Sequence, residues 1–205
     1  STLLVNDYVV VKKIKNSKED TTMPRLFVAI DLPESLKTTL TGICHGIPGT
    51  RWLPPNQLHL TLRFIGDVDN GLFRAIMDGL SGNDLPPAKC HLRSIGCFPA
   101  KGRPRVIWAG VSEEATGLFT LQRHLEKEIR RFGITPEERP FTPHITLARL
   151  KDPPKEAVFA FLSKNAEFQG GAFTVTAFHL YSSSLTPKGA IHTLERSYQL
   201  HQARE

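Results

Sequence analysis

The sequence predicts an α+β protein of two lobes related by a pseudo-twofold axis, each a mainly antiparallel sheet with helices on its outside, flanking a central groove. Short apolar runs with strand periodicity alternate with single helical segments, a pattern typical of this class. The order strand, helix, histidine strand, helix, strand occurs twice, over residues 26–98 and 105–182. The two histidine strands begin 85 residues apart, and a unit of this length present only twice indicates paired lobes and not a solenoid.

The first repeat contains three predicted strands and two predicted helices. An apolar run at 26–30 predicts a strand, and a proline suits the first turn of a helix over 33–44. Residues 58–65 alternate between apolar and polar, which predicts a half-buried strand. Helical spacing of apolar residues over 72–80 precedes a further strand at 89–98.

The second repeat contains the same elements, and one more strand follows it. Its long helix ends at a glycine, which suits the left-handed residue that closes many helices. The predicted elements are strands at 105–111, 144–148, 172–182 and 190–200 and helices at 113–132 and 155–164.

Residues 1–22 differ from the rest, and we expect them to form an N-terminal extension before a single bilobal domain over 23–205. They combine two short apolar stretches with a lysine-rich polar run. A basic start, a longer apolar stretch and a small-residue cleavage site are missing, so a signal peptide is not predicted. An added edge strand is the structure we would expect of this extension.

Charge and composition favour a protein that binds an anionic partner. Lysine and arginine number 26 against 20 acidic residues, a net charge of +6 with a pI near 9.4, and nucleic acid is the first candidate. No apolar run approaches the roughly 18 residues that cross a bilayer, and glycine-rich phosphate loops are missing, so neither a membrane role nor a nucleotide cofactor is predicted. Three cysteines without a C-x-x-C pair predict reduced thiols in a cytoplasmic protein.

Two copies of the motif His, apolar, Thr, apolar carry the chemistry, and they begin at His59 and His144. Residues i and i+2 share one face of a strand, so each histidine lies beside its threonine while the apolar residues point into the core. Across a twofold axis the two pairs would face each other over the groove. One imidazole could then remove a proton while the other supplies one. Thr61 and Thr146 would donate hydrogen bonds to a small oxyanion.

Two simpler explanations of the motifs remain open. The histidines could be interior strand residues that bond to the backbone. They could also bind a metal, although two histidines without a carboxylate or cysteine are a poor ligand set, and no metal is expected. The chance that two of eight histidines share the pattern is on the order of one in a thousand at average residue usage, which favours a functional pair.

The motifs and their surroundings resemble the 2H phosphoesterases with their LigT-like fold, and most closely the bacterial and archaeal RNA 2′,3′-cyclic phosphodiesterases, also called 2′-5′ RNA ligases. Both histidine motifs are intact, and the extension over 1–22 is the departure from the family. The matching segments, in the family's order, are 25–33, 58–66, 105–108, 139–149 and 181–183, followed by Gly189.

This resemblance implies an enzyme that opens the 2′,3′-cyclic phosphate of an RNA end to a 2′-phosphomonoester without a metal or cofactor. It implies that His144 is the proton acceptor for water and that His59 is the proton donor to the departing 3′ oxygen. Thr61 and Thr146 would bind the non-bridging oxygens. Run backwards with an RNA 5′-hydroxyl in place of water, the same groups would form a 2′-5′ linkage without ATP.

Four further residues are candidates for substrate binding. The family places a phosphate-binding arginine three residues after the second threonine, at Arg149, but strand alternation puts this position on the opposite face unless the strand ends or bulges after residue 147. Alternation puts Arg63 on the catalytic face, where it would contact the RNA backbone or be a solvated charge. Phe27 is a candidate for base stacking or a core residue, and Arg105 would add positive charge at the groove mouth.

The expected partner is therefore an RNA with a 2′,3′-cyclic phosphate end, tRNA fragments included, and the expected state is a monomer in the cytoplasm. Two other functions remain open. One is a related enzyme that acts on 2′-5′ oligonucleotides or small cyclic nucleotides. The other is a binding module for RNA ends without catalysis.

Overall fold

A computed structural model describes residues 23–112, 114–187 and 189–201, and the predicted extension over 1–22 lies outside these ranges. The described residues form nine strands, four α-helices and one 3₁₀ turn over Pro55–Gln57. The strands are β1 Arg25–Asp31, β2 Arg51–Trp52, β3 His59–Asp67, β4 Ala88–Phe98, β5 Val106–Val111, β6 His144–Arg149, β7 Gln169–Val175, β8 Ala177–Thr186 and β9 Gly189–Gln199. The helices are α1 Glu34–Ile43, α2 Asn70–Gly79, α3 Thr116–Arg130 and α4 Lys155–Lys164.

The strands form one sheet in the order β7-β4-β5-β6-β3-β1-β8-β9, with β2 paired to β6. Every registered pairing is antiparallel, which confirms the predicted fold class. The order is symmetric about the β3–β6 contact, since β3 and β6 are corresponding strands of the two repeats, as are β1 and β5, and β4 and β8. Each half of the sheet therefore receives the last strand of the other repeat.

The two halves meet at a single registered pair, Leu60 opposite Ile145, and both side chains are fully buried. These two residues belong to one core that also contains the apolar faces of all four helices. Because side chains alternate along a strand, the residues on either side of this pair point away from the core. The seam between the halves thus carries the first residues of both histidine motifs on its open face.

The two central strands contain matching β-bulges directly after the threonine of each motif. On β3 the register with β1 skips Leu62, and on β6 the register with β5 skips Leu147. An extra residue reverses the alternation of side chains beyond it. The residue directly after each bulged leucine is therefore buried, as the leucine itself is. The next residue, Phe64 on β3 and Arg149 on β6, is exposed.

Candidate active site

His59 and His144 begin strands β3 and β6 and are held in the same way in both halves of the sheet. The His59 Nδ1 atom lies 2.8 Å from the carbonyl oxygen of Gln57, and the His144 Nδ1 atom lies 2.7 Å from the carbonyl oxygen of Thr142. A carbonyl oxygen only accepts hydrogen bonds, so each Nδ1 carries the proton and donates it. The neutral tautomer then leaves each Nε2 unprotonated and able to exchange a proton with a ligand.

The His59 ring is enclosed by aromatic side chains. Its centroid lies 5.2 Å from that of Phe27 and 5.4 Å from that of His192, which meets it edge to face. Burial, and after it the positive charge on His192, lowers the pKa of His59 to about 4. Charge on His144 also lowers the pKa of His59, so the two motif histidines are close enough to interact electrostatically.

His144 packs against a different pair of aromatic rings. Its centroid lies 5.1 Å from that of Phe98 and 6.5 Å from that of Trp108, both at steep angles. The indole of Trp108 lies directly on Gly96, where a Cβ atom would stand 2.2 Å from the ring. Glycine at this position therefore allows the tryptophan to lie flat on the sheet beside His144.

Thr61 and Thr146 lie two residues after the histidines and before the bulges, on the histidine face, and both are half-buried. Within residues 23–112, 114–187 and 189–201, neither hydroxyl is hydrogen-bonded to another protein group. Two polar hydroxyls beside two imidazoles can thus donate hydrogen bonds to an anion on the open face.

The bulge that the assignment of Arg149 requires is present at Leu147. It turns the exposed Arg149 towards the face that carries Thr146. Arg51 lies opposite Arg149 in the β2–β6 register, and the exposed Arg105 adjoins the same strand end, where its carbonyl oxygen accepts a hydrogen bond from the Leu150 amide. Three arginines therefore concentrate positive charge at this end of β6.

The prediction that Arg63 contacts RNA is wrong. The bulge at Leu62 reverses the alternation on which the prediction relied, and Arg63 points to the helix-covered face with only 6% of its surface exposed. Its guanidinium donates to the Glu126 carboxylate of α3 and to the backbone carbonyls of Phe64 and Thr135. Arg63 holds β3 against α3 and cannot reach a ligand on the open face.

Of the two roles considered for Phe27, the core position is the one found and base stacking is wrong, because 3% of its surface is exposed. Its ring stacks on that of Tyr181, with 5.3 Å between the centroids, and packs against the His59 ring. Phe64, which the sequence reasoning missed, is 62% exposed with its centroid 6.1 Å from that of Phe27. Its position could have been found from the repeat, because Phe64 follows His59 at the same distance as Arg149 follows His144.

A second polar group that the sequence reasoning missed lies beside His59. Asp31 is opposite His59 in the β1–β3 register and favours its protonated form, although less strongly than burial opposes it. The Tyr181 hydroxyl donates a hydrogen bond of 2.7 Å to this carboxylate. Burial and Asp31 raise the pKa of Tyr181 above its usual value, so the hydroxyl keeps its proton and orients Asp31 at neutral pH.

In the part of the chain that the structure describes, no cluster of three or more histidine, cysteine or carboxylate side chains is arranged to bind a metal ion. None of the described helices is both long and apolar enough to span a membrane.

Comparison with known families supports the internal repeat. The family model described as LigT like Phosphoesterase matches the chain twice, over residues 30–108 and 110–192, with one histidine motif in each match. The two matches together cover most of the chain.

Relatives and solved structures of similar length are also found. An Archaeoglobus fulgidus protein and a Thermotoga maritima protein, both named RNA 2′,3′-cyclic phosphodiesterase, are each 33% identical; the matches cover 82% of this chain and 96% and 91% of the relatives. A Thermus thermophilus crystal structure superposes with a TM-score of 0.74 at 30% identity over 88% of this chain and 100% of that one. E. coli LigT complexed with 3′-AMP superposes with a TM-score of 0.71 at 28% identity over 88% and 99%.

Proposed function

Because this chain belongs to the LigT-like phosphoesterase family, we propose that it hydrolyses the 2′,3′-cyclic phosphate of an RNA end to a 2′-phosphomonoester by acid–base catalysis with two histidines. The observation that carries the proposal is the matched anchoring of His59 and His144: each has Nδ1 on a carbonyl oxygen, and among the described residues neither Nε2 has a hydrogen-bond partner. The relatives named RNA 2′,3′-cyclic phosphodiesterase support the substrate class.

In the proposed reaction, His144 Nε2 takes a proton from water as the water oxygen attacks phosphorus. The bond from phosphorus to the 3′ oxygen breaks on the opposite side, and protonated His59 gives its Nε2 proton to that oxygen. The hydroxyls of Thr61 and Thr146 and the guanidinium of Arg149 stabilise the charge that develops on the non-bridging oxygens. With an RNA 5′-hydroxyl in place of water, the same steps give a 2′-5′ phosphodiester.

The donor role of His59 depends on the substrate's charge. The unliganded ring is neutral near pH 7 because burial lowers its pKa to about 4. A bound phosphate anion favours the protonated form and raises this pKa. A donor whose pKa is lowered by its surroundings is also a stronger acid, which suits protonation of a poor leaving group.

The terminal nucleoside binds on the His59 side of the phosphate in this arrangement, because the departing 3′ oxygen is there. The exposed Phe64 ring lies on this side and offers a surface for stacking of its base. E. coli LigT in complex with 3′-AMP supports a nucleoside subsite in this fold. Arg105 contributes positive charge near Arg149 for the RNA backbone.

Product analysis on a short RNA with a cyclic phosphate end, in the presence of EDTA, tests the proposal. We expect a 2′-phosphate product, and we expect His59→Ala and His144→Ala each to lower turnover by about 100-fold or more. His91→Ala on the exposed side of β4 is the control. Binding without turnover by the unaltered protein, or near-full turnover by either motif variant, would contradict the two-histidine mechanism.

A further inference from the structure

A cavity of about 810 Å³ lies beside His144, next to β4 and β5. In the order of strands, β5 and β3 flank β6 on opposite sides, so the cavity and His59 lie on opposite sides of β6. It is lined by aromatic rings and by charged and polar side chains, among them Arg93, Ser94, Trp108, Glu114, Phe119 and Phe141. This volume is in the range of small-molecule sites in proteins. No residue of the mechanism described above occupies it.

Two contacts join the cavity to the catalytic histidine. Trp108 forms part of its wall and packs on the His144 ring, with 6.5 Å between the centroids. Thr142 also lines the cavity, and its carbonyl oxygen is the acceptor that orients His144. A ligand in the cavity is therefore held next to the proton acceptor.

The geometry of in-line displacement indicates which reactant the cavity would bind. The nucleophile enters opposite the departing 3′ oxygen, which is the side of His144 if His59 protonates that oxygen. Hydrolysis requires only one water molecule there, which occupies about 30 Å³ in the liquid. The cavity is far larger than this, so the structure provides room for a nucleophile that carries a large group.

The lining matches a nucleoside. Phe119 and Phe141 lie 5.6 Å apart edge to face, and with Trp108 they present aromatic surface for a base. The exposed Arg93 can bind the phosphate that follows an acceptor nucleoside, while Glu114 on the same wall disfavours a second phosphate at its 5′ end. Gly110 also lines the cavity, and a Cβ atom there would stand 2.8 Å from the Ser94 hydroxyl, so a larger residue would crowd this part of the lining.

We propose that this cavity is the acceptor subsite for the 5′-hydroxyl end of an RNA in 2′-5′ ligation. The inference rests on the proposed function and its assignment of His144 as proton acceptor. The 5′ oxygen of the bound nucleoside attacks phosphorus and gives its proton to His144, the bond to the 3′ oxygen breaks, and His59 protonates that oxygen. The products are a 2′-5′ phosphodiester and a free 3′-hydroxyl, with atoms and protons balanced.

Competition between nucleophiles tests the subsite. A nucleoside 2′,3′-cyclic phosphate is incubated with the protein and either methanol or a dinucleotide with a 5′-hydroxyl, and the esters formed are compared with the hydrolysis product. We expect the unaltered protein to prefer the dinucleotide over methanol at equal concentration. Phe141→Ala and Arg93→Gln should each lower this preference on the order of tenfold, with hydrolysis unchanged.

Phe159→Ala, which removes a 73% exposed ring from α4, is the matched control and should change neither product. Retained hydrolysis shows that a variant is folded, and Arg93→Gln alters an exposed side chain in case Phe141→Ala does not fold. Equal use of methanol and dinucleotide by the unaltered protein, or an unchanged preference in both variants, overturns the subsite. So does a loss confined to hydrolysis of longer cyclic-phosphate RNAs, since the cavity would then hold the donor strand. Failure of hydrolysis itself would instead contradict the proposed function.

Discussion

At the scale of single residues, the enclosure of His59 determines how the rate should depend on pH. The value of kcat/KM follows the fraction of the free protein in which His59 is protonated and His144 is neutral, and this fraction passes through a maximum that moves to lower pH as the pKa of the donor falls. Because burial lowers the pKa of His59 to about 4, we expect this maximum at lower pH than an exposed imidazole at the position of His59 would give. The profile should be bell-shaped. A profile that stays flat between pH 5 and 8, with chemistry rate-limiting, would contradict the paired roles.

His192 offers a way to move this maximum without altering the motif. Its ring meets His59 edge to face, and its positive charge contributes to the low pKa of His59. His192→Gln removes this charge, so the pKa of His59 should rise and the maximum of the kcat/KM profile should shift to higher pH. His91→Gln, on the exposed side of β4, should leave the profile in place. No shift, or a shift to lower pH, would mean that His192 does not set the protonation of His59.

At the scale of elements, the two bulges decide which polar side chains reach the open face. Alternation along β3 placed Arg63 beside Thr61, but the extra residue Leu62 turns it into the helix-packed face. The corresponding bulge on β6 brings Arg149 to the open face. Nothing in the local sequence marks these positions, because Leu62 and Leu147 are ordinary strand residues. The bulges arise from pairing with β1 and β5, a contact between distant parts of the chain.

This difference predicts opposite effects for two arginines. Arg149→Ala removes a charged hydrogen-bond donor to the phosphate, so kcat/KM should fall by about tenfold or more with little change in the free energy of unfolding. Arg63→Met leaves the Glu126 carboxylate without its ion-pair partner and should lower the free energy of unfolding by roughly 3 kcal/mol, with kcat/KM nearly unchanged.

Urea unfolding and steady-state kinetics on both variants check the pair. Arg103→Ala is the control, since this arginine is exposed and its ion pair is with the exposed Asp152. A fall in kcat/KM for Arg63→Met, accompanied by full stability, would return Arg63 to the substrate face and invalidate the bulge argument.

At the scale of the whole molecule, the sequence was most informative about the features that occur in both repeats. The fold class was predicted from the repeat and from periodicity and the family from the resemblance of the motifs, and the structure and comparisons confirm both. The short strand β2 was not predicted, and the single strand predicted at 172–182 is two strands, β7 and β8. The exchange of β4 and β8 between the halves was not predicted, because a linear repeat suggests that each copy folds on itself. Strand partners depend on which edges are left uncovered in three dimensions. The sequence left Phe27 between a core position and base stacking, and its burial follows from Tyr181, which lies opposite it on β8.

The exchange predicts that the two halves cannot unfold separately. Each half of the sheet contains a strand from the other repeat, and both share the core around Leu60 and Ile145. Loss of either half therefore removes a strand and buried surface from the other, which couples them into one cooperative transition. Trp52 and Trp108 lie on β2 and β5, in one half of the sheet, whereas far-UV circular dichroism reports on both halves. We expect the two signals to give the same urea midpoint and slope. A fluorescence transition separate from the circular dichroism transition would mean that the halves are independent lobes, each able to lose its structure while the other remains folded.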